Sequence, residues 1–120
     1  SPDSQQAALK MLSTVNAKKK VAVLGDMLEL GAISEDAHRN AGLIAAKNKI
    51  DVLMTYGERS QLTAENAIEC GVPTVRSFLD KDELADALYE ILEEGDAVLF
   101  KASRGMALED VINKLYAKLG

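Results

Sequence analysis

Cysteine is all but missing from this sequence, with Cys70 alone, so no disulfide can form within the chain and no Cys/His ligand spacing for a metal exists. A reducing, cytoplasmic setting is the expectation. The single histidine, His38, belongs to a different helical segment from Cys70. We therefore read Cys70 as a buried or half-buried thiol and not as a nucleophile. Positive charge is outnumbered. Fourteen Lys and Arg face nineteen Asp and Glu, a net charge of -5, which argues against a nucleic-acid module but leaves room for a local pair of cations. No apolar run reaches the length of a membrane-spanning helix. The opening SPDSQQ has neither the basic nor the apolar region of a signal peptide. The chain starts at Ser1 instead of Met, which we read as a piece of a longer protein.

Two phosphate-binding signatures are absent as well. After the first apolar run, Met27 and Leu30 stand where a G-x-G-x-x-G motif needs glycine, and no G-x-x-x-x-G-K-[ST] occurs. Alone, the chain should be neither a dehydrogenase nor an ATPase. What is present is an apolar fraction of 48%, enough for one core in one domain, residues 1–120.

Periodicity predicts a helix capped by Asp3 or Ser4 and reaching about Val15, with Ala8, Met11, Leu12 and Val15 as its apolar stripe. Lys18, Lys19 and Lys20 form a solvated lead-in to a strand at 21–24, whose unbroken apolar run suits a parallel strand buried on both faces. Ser34 is the expected cap of the next helix, with Ala37, Ala41, Ile44 and Ala45 inward. A second strand (51–57), a helix closed by Gly71, a third strand (73–78), an Asp80-capped helix reaching Glu94 and ended by Gly95, a fourth strand (97–103) and a helix from Met106 to Leu119 follow. Strands separated by helices must pair in parallel. The expected fold class is α/β, a three-layer αβα Rossmann-like domain with a mainly parallel sheet.

Ligands of such sheets meet the loops at the carboxyl ends of the strands. The first loop offers Asp26, able to bind an ammonium, hold an arginine or simply cap a turn, and Glu29. The second offers Glu58 and Arg59. After the fourth strand, Lys101 and Arg104 bracket Ser103, and Gly105 lets the chain turn into the last helix. Two cations, a hydroxyl and a helix N-terminus suit a carboxylate or phosphate. Equally, the two cations could pair with the surplus surface acids. His38 is either a solvent-facing helix residue or one that orients the first loop or touches substrate.

The stretches PDSQQAAL, VAVLGDMLELG, HRNAG and VLFKASRGMALEDV, taken in order, make the whole chain resemble the C-terminal domain of the MurF ligases, the UDP-N-acetylmuramoyl-tripeptide–D-alanyl-D-alanine ligases of bacterial peptidoglycan synthesis. The resemblance implies a three-domain enzyme whose N-terminal domain holds the UDP-sugar and whose central domain holds ATP and Mg2+. The C-terminal domain brings the incoming D-alanyl-D-alanine and closes over the nucleotide. It implies ATP-dependent amide formation through an acyl phosphate, with UDP-MurNAc-tripeptide as the other substrate and no nucleic-acid or membrane partner. Of the family's Asn-Ala-Asn-Pro-Asp-Ser lead-in, Pro2, Asp3 and Ser4 remain, with Ser1 in place of the last Asn. Carried over by position, Lys101, Ser103 and Arg104 would hold the dipeptide carboxylate, and Asp26 would orient the amine or the closing hinge. Glu29 and His38 are further candidate contacts. Family members often have Gly where this chain has Ala102. Without the resemblance, the residues alone also fit a stand-alone α/β domain binding a small anion, or an interaction module with no ligand.

Overall fold

Strands β1 (Lys20–Gly25), β2 (Val52–Tyr56), β3 (Thr74–Phe78) and β4 (Ala97–Lys101) lie parallel in the order β3-β2-β1-β4 in the computed structural model, which describes residues 1–120. Helices α1 (Pro2–Ser13), α2 (Ser34–Lys47), α3 (Ser60–Glu69), α4 (Lys81–Ile91) and α5 (Glu109–Leu119) cover both faces. Alternation along β1 decides which helix meets which face. Val21 and Val23 point to α4 and α5, packing with Leu84, Leu88, Val111 and Leu115. Ala22 and Leu24 point the other way, to Leu9 and Leu12 of α1, Ala45 of α2 and Ala67 of α3. β1 is therefore buried on both sides, as its apolar run predicts, and the αβα expectation holds.

The chain steps outward from β1 to β2 to β3, then crosses back along α4 to lay β4 on the far side of β1. The connections diverge between β1 and β4, which is where a crevice opens at the carboxyl edge of such a sheet. On the opposite face α2 and α3 touch through backbone. A Cβ added to Gly42 would lie 2.5 Å from the Thr63 carbonyl oxygen and 2.6 Å from Ala67 N. That contact fixes the helix that carries His38.

Several local expectations differ. Ser1, not Asp3 or Ser4, caps α1: the Ser4 N–H donates to Ser1 Oγ at 3.2 Å, with Pro2 in the first turn. The inward face of α1 is Gln5, Leu9 and Leu12, while Met11 is 69% exposed and Val15 lies beyond the helix and is exposed. Ser34 begins α2 already in helical geometry, because a 3-10 turn at Gly31–Ile33 leads into it. Asp80 does cap α4, accepting from the Asp82 N–H at 2.8 Å, but the helix stops at Ile91, where Leu92 turns extended. Cys70 is exposed. Lys18, Lys19 and Lys20 are engaged, not merely solvated. Lys18 reaches Glu93 at 3.0 Å, Lys19 reaches Asp96 at 2.9 Å and Lys20 Nζ donates to the Ser13 carbonyl.

Candidate functional site

Asp26, one residue beyond β1, is 2% exposed and ties three loops together. Its Oδ1 accepts from the Ser60 N–H at 2.8 Å and the Ser60 hydroxyl at 2.7 Å. Its Oδ2 accepts from the Arg59 N–H at 3.3 Å and faces the Arg59 guanidinium at 3.5 Å. A carboxylate on the first N–H groups of α3 also complements the helix dipole. Its backbone carbonyl accepts from the Ser103 N–H at 3.1 Å. Of the roles read for Asp26, the geometry matches arginine holding; instead of capping its own turn, the carboxylate accepts from the first residue of α3. Gly57 makes this possible: its φ is +114°, and a Cβ there would run into the Asp26 carboxylate.

The next two residues carry the loop onward. The Met27 N–H donates to His38 Nε2 at 3.0 Å, and the Leu28 N–H donates to Ser103 Oγ at 2.8 Å. His38 is 1% exposed, so the solvent-facing reading is replaced by one in which the imidazole orients the β1 loop. Glu29 follows with a left-handed φ of +63° and an exposed side chain at the rim.

Across the switch point, β4 ends at half-buried Lys101, and exposed Arg104 opens a 3-10 turn, Arg104–Met106. Neither cation forms an ion pair. The alternative in which they neutralise surface acids is therefore not what the structure contains, although Lys18, Lys19, Lys81, Lys114 and Lys118 do so. Ser103 Oγ accepts from the Leu28 N–H, and its own proton is committed to no other protein group.

The helix N-terminus drops out of the anion site. α5 starts only at Glu109, and Ala107 ahead of it is left-handed at φ +50°. Two of the intervening amides are spent on turns, the Met106 N–H donating to the Ser103 carbonyl and the Ala107 N–H to the Arg104 carbonyl. The first turn of α5 carries Glu109 and Asp110, which would repel an anion. Asp110 instead meets Lys81 at 2.9 Å, and that hydrogen bond, ahead of the opposing effect of burial, holds the Lys81 ammonium above its usual pKa. Gly105 does not supply the turn; a Cβ there would lie 3.0 Å from Leu28 Cδ1, so its role is close approach to the β1 loop.

Sequence reasoning left Arg59 and Ser60 without a role. The available signal was their position in a carboxyl-edge loop, but only the fold reveals that Asp26 receives them. A groove of about 640 Å³ lies beside edge strand β3, lined by Gln61, Ile68, Val75 and Leu79 among others. It contains none of the loop cations.

Residues 1–104 match the family described as Mur ligase, glutamate ligase domain. The chain belongs to the Mur ligase family. Within it, the chain is similar to the UDP-N-acetylmuramoyl-tripeptide–D-alanyl-D-alanine ligase of Bacillus subtilis, at 39% identity over 96% of this chain and 26% of that protein. The enzyme of the same name from Synechocystis is 34% identical over 97% of this chain and 25% of its own length. Two solved structures have the same fold: the MurF ligase of Thermotoga maritima in complex with ADP (26% identity, TM-score 0.84, 99% of this chain and 26% of that one) and MurF of Acinetobacter baumannii (26% identity, TM-score 0.86, 98% and 26%). The chain thus spans about a quarter of the Mur ligases it matches and corresponds to a MurF C-terminal domain. No group of three or more His, Cys, Asp or Glu side chains is gathered where a metal could be held. No helix is long and apolar enough to cross a membrane.

Proposed function

We propose that this chain is the acceptor-side domain of a cytoplasmic ATP-dependent ligase of peptidoglycan synthesis, one that joins D-alanyl-D-alanine to UDP-MurNAc-tripeptide. The observation that carries the reading is the pair of unpaired cations, Lys101 and Arg104, on either side of Ser103 at the β1/β4 switch point. Arg104 offers a planar fork to a carboxylate, Lys101 a point charge, and Ser103 a hydroxyl proton. They hold the dipeptide by its far end. Glu29, exposed at the rim, is the acid open to an ammonium group. Asp26 acts indirectly, by holding Arg59 and the three loops in register.

The residues of this chain do not fit ATP or Mg2+ by themselves, having neither a phosphate-cradling motif nor a ligand cluster. Phosphorylation of the tripeptide carboxyl to an acyl phosphate, and the metal it requires, belong to the part of the enzyme outside this chain. Closure of this domain over that site then delivers the dipeptide amine.

The test is kinetic and uses the full-length enzyme. Arg104→Ala should raise KM for the dipeptide about 10- to 100-fold, the effect of losing a charge-assisted hydrogen bond of about 1.5–3 kcal/mol. KM for ATP should change little. An unchanged dipeptide KM would remove Arg104 from the site.

A further inference from the structure

His38 has its protonation written into its surroundings. The Ser34 carbonyl lies 2.7 Å from Nδ1, and a carbonyl only accepts, so Nδ1 carries the proton. The Met27 N–H reaches Nε2 at 3.0 Å, and an amide N–H only donates, so Nε2 is bare. The imidazole is thus held as a neutral Nδ1–H tautomer at 1% exposure. Its backbone is anchored too, since the Thr63 hydroxyl donates to the His38 carbonyl at 2.7 Å where α2 and α3 meet at Gly42.

From His38 a line of bonds runs to the cation-bearing loop. Met27 is held by the ring, and its neighbour Leu28 donates to Ser103 Oγ at 2.8 Å. Ser103 stands between Lys101 and Arg104. A rigid ring that donates at one end and accepts at the other can span a helix carbonyl and a loop amide at once; an aliphatic side chain of similar volume cannot.

We propose that His38 is a positioning residue for the substrate carboxylate: through Met27, Leu28 and Ser103 it sets the spacing of Lys101 and Arg104 without touching the ligand. The consequence for affinity rests on the function proposed above. The position of the loop does not, and the two are measured separately.

Amide hydrogen exchange and imidazole 15N spectra of this chain read the loop. The spectra should show the Nδ1–H tautomer. In His38→Leu, the Met27 and Leu28 amides should exchange about 5- to 10-fold faster, the size of one lost hydrogen bond, while β2 amides keep their protection. His38→Gln, which keeps an acceptor near the Nε2 position, should retain most of the Met27 protection and serves as the probe if the leucine variant fails to fold. An Nε2–H tautomer, or Met27 and Leu28 amides indifferent to both variants, would overturn the proposal. In the full-length enzyme, His38→Leu should raise the dipeptide KM severalfold with kcat and the ATP KM nearly unchanged, and His38→Gln should restore most of the loss. If Arg104→Ala raises the dipeptide KM and His38→Leu does not, the positioning role is wrong and the carboxylate clamp stands. If Arg104→Ala has no effect, the clamp is wrong and takes the affinity consequence with it, while the exchange data still decide whether His38 holds the loop.

Discussion

Gly25 and Ala102 meet at the end of the β1–β4 pairing, so close that a Cβ on Gly25 would lie 2.6 Å from the Ala102 methyl. The Ala102 methyl therefore fills the space above Gly25. Gly25→Ala should destabilise the domain by about 1–3 kcal/mol through overpacking and displace the Lys101–Arg104 loop. Adding Ala102→Gly should recover most of that loss in denaturant unfolding. A double variant no more stable than the single one would show that this contact is not the cause.

Removing the Asp26 carboxylate should be costly in a different way. Asp26→Ala strands the buried Ser60 N–H and hydroxyl and frees Arg59. Losing hydrogen bonds to a buried charged acceptor should lower stability by at least about 1.5–3 kcal/mol, seen as a lower denaturant midpoint. Asp26→Asn, which keeps one acceptor for Ser60, should fall between the two. Equal midpoints for Asp26→Ala and the parent would contradict the hub geometry.

The cluster at the opposite end of the sheet gives a pH prediction. A hydrogen bond from Lys19, foremost, holds the Asp96 carboxyl below its usual pKa, and Asp96 holds the Lys19 ammonium above its own. Glu93 is lowered in the same way, first by Lys18. A depressed carboxyl stabilises the fold above its unfolded pKa of about 4, and the effect is lost as pH falls through the folded value. A raised lysine stabilises below about 10.4, and that is lost as pH rises through its folded value. Stability from this cluster should thus be flat between those limits and fall on both sides. Lys19→Met should flatten both limbs in denaturant titrations; unchanged limbs would show that the cluster does not contribute.

A fourth expectation concerns this chain on its own. Having no phosphate cradle, it should fold yet show no ligase turnover and no ATP hydrolysis. Phosphate release above background from the purified domain would contradict the division of labour proposed here.

The sheet and the loop positions were readable because they depend on local pattern. The apolar run of β1 and the Asp80 cap each need only a few neighbouring residues. What escaped depends on contacts between distant segments. Met11 and Val15 sit on a plausible stripe, and only the docking of α1 on the sheet selects Leu9 instead. His38 looks like a surface residue until Gly42 lets α3 lie against its helix. Lys18 and Lys19 find Glu93 and Asp96 only because β4 returns beside them. The start of the last helix moved because Ala107 takes a left-handed turn, which nothing in its side chain announces. At the proposed site, Lys101, Ser103 and Arg104 were legible as a loop of suitable chemistry. The partners of Asp26, on another loop, were not.

The strand order has a consequence for how the chain comes together in time. β1 finds β2, and β2 finds β3, through connections of one helix each. β4 must instead reach back past both to pair with β1, the strand pairing of greatest sequence separation in the sheet and the one with the largest loop-closure cost. The crevice has no second wall until that last strand docks. A chain in which β4 has not paired with β1 cannot present Lys101 and Arg104 at this edge, so the dipeptide capture proposed above would wait for the complete sheet.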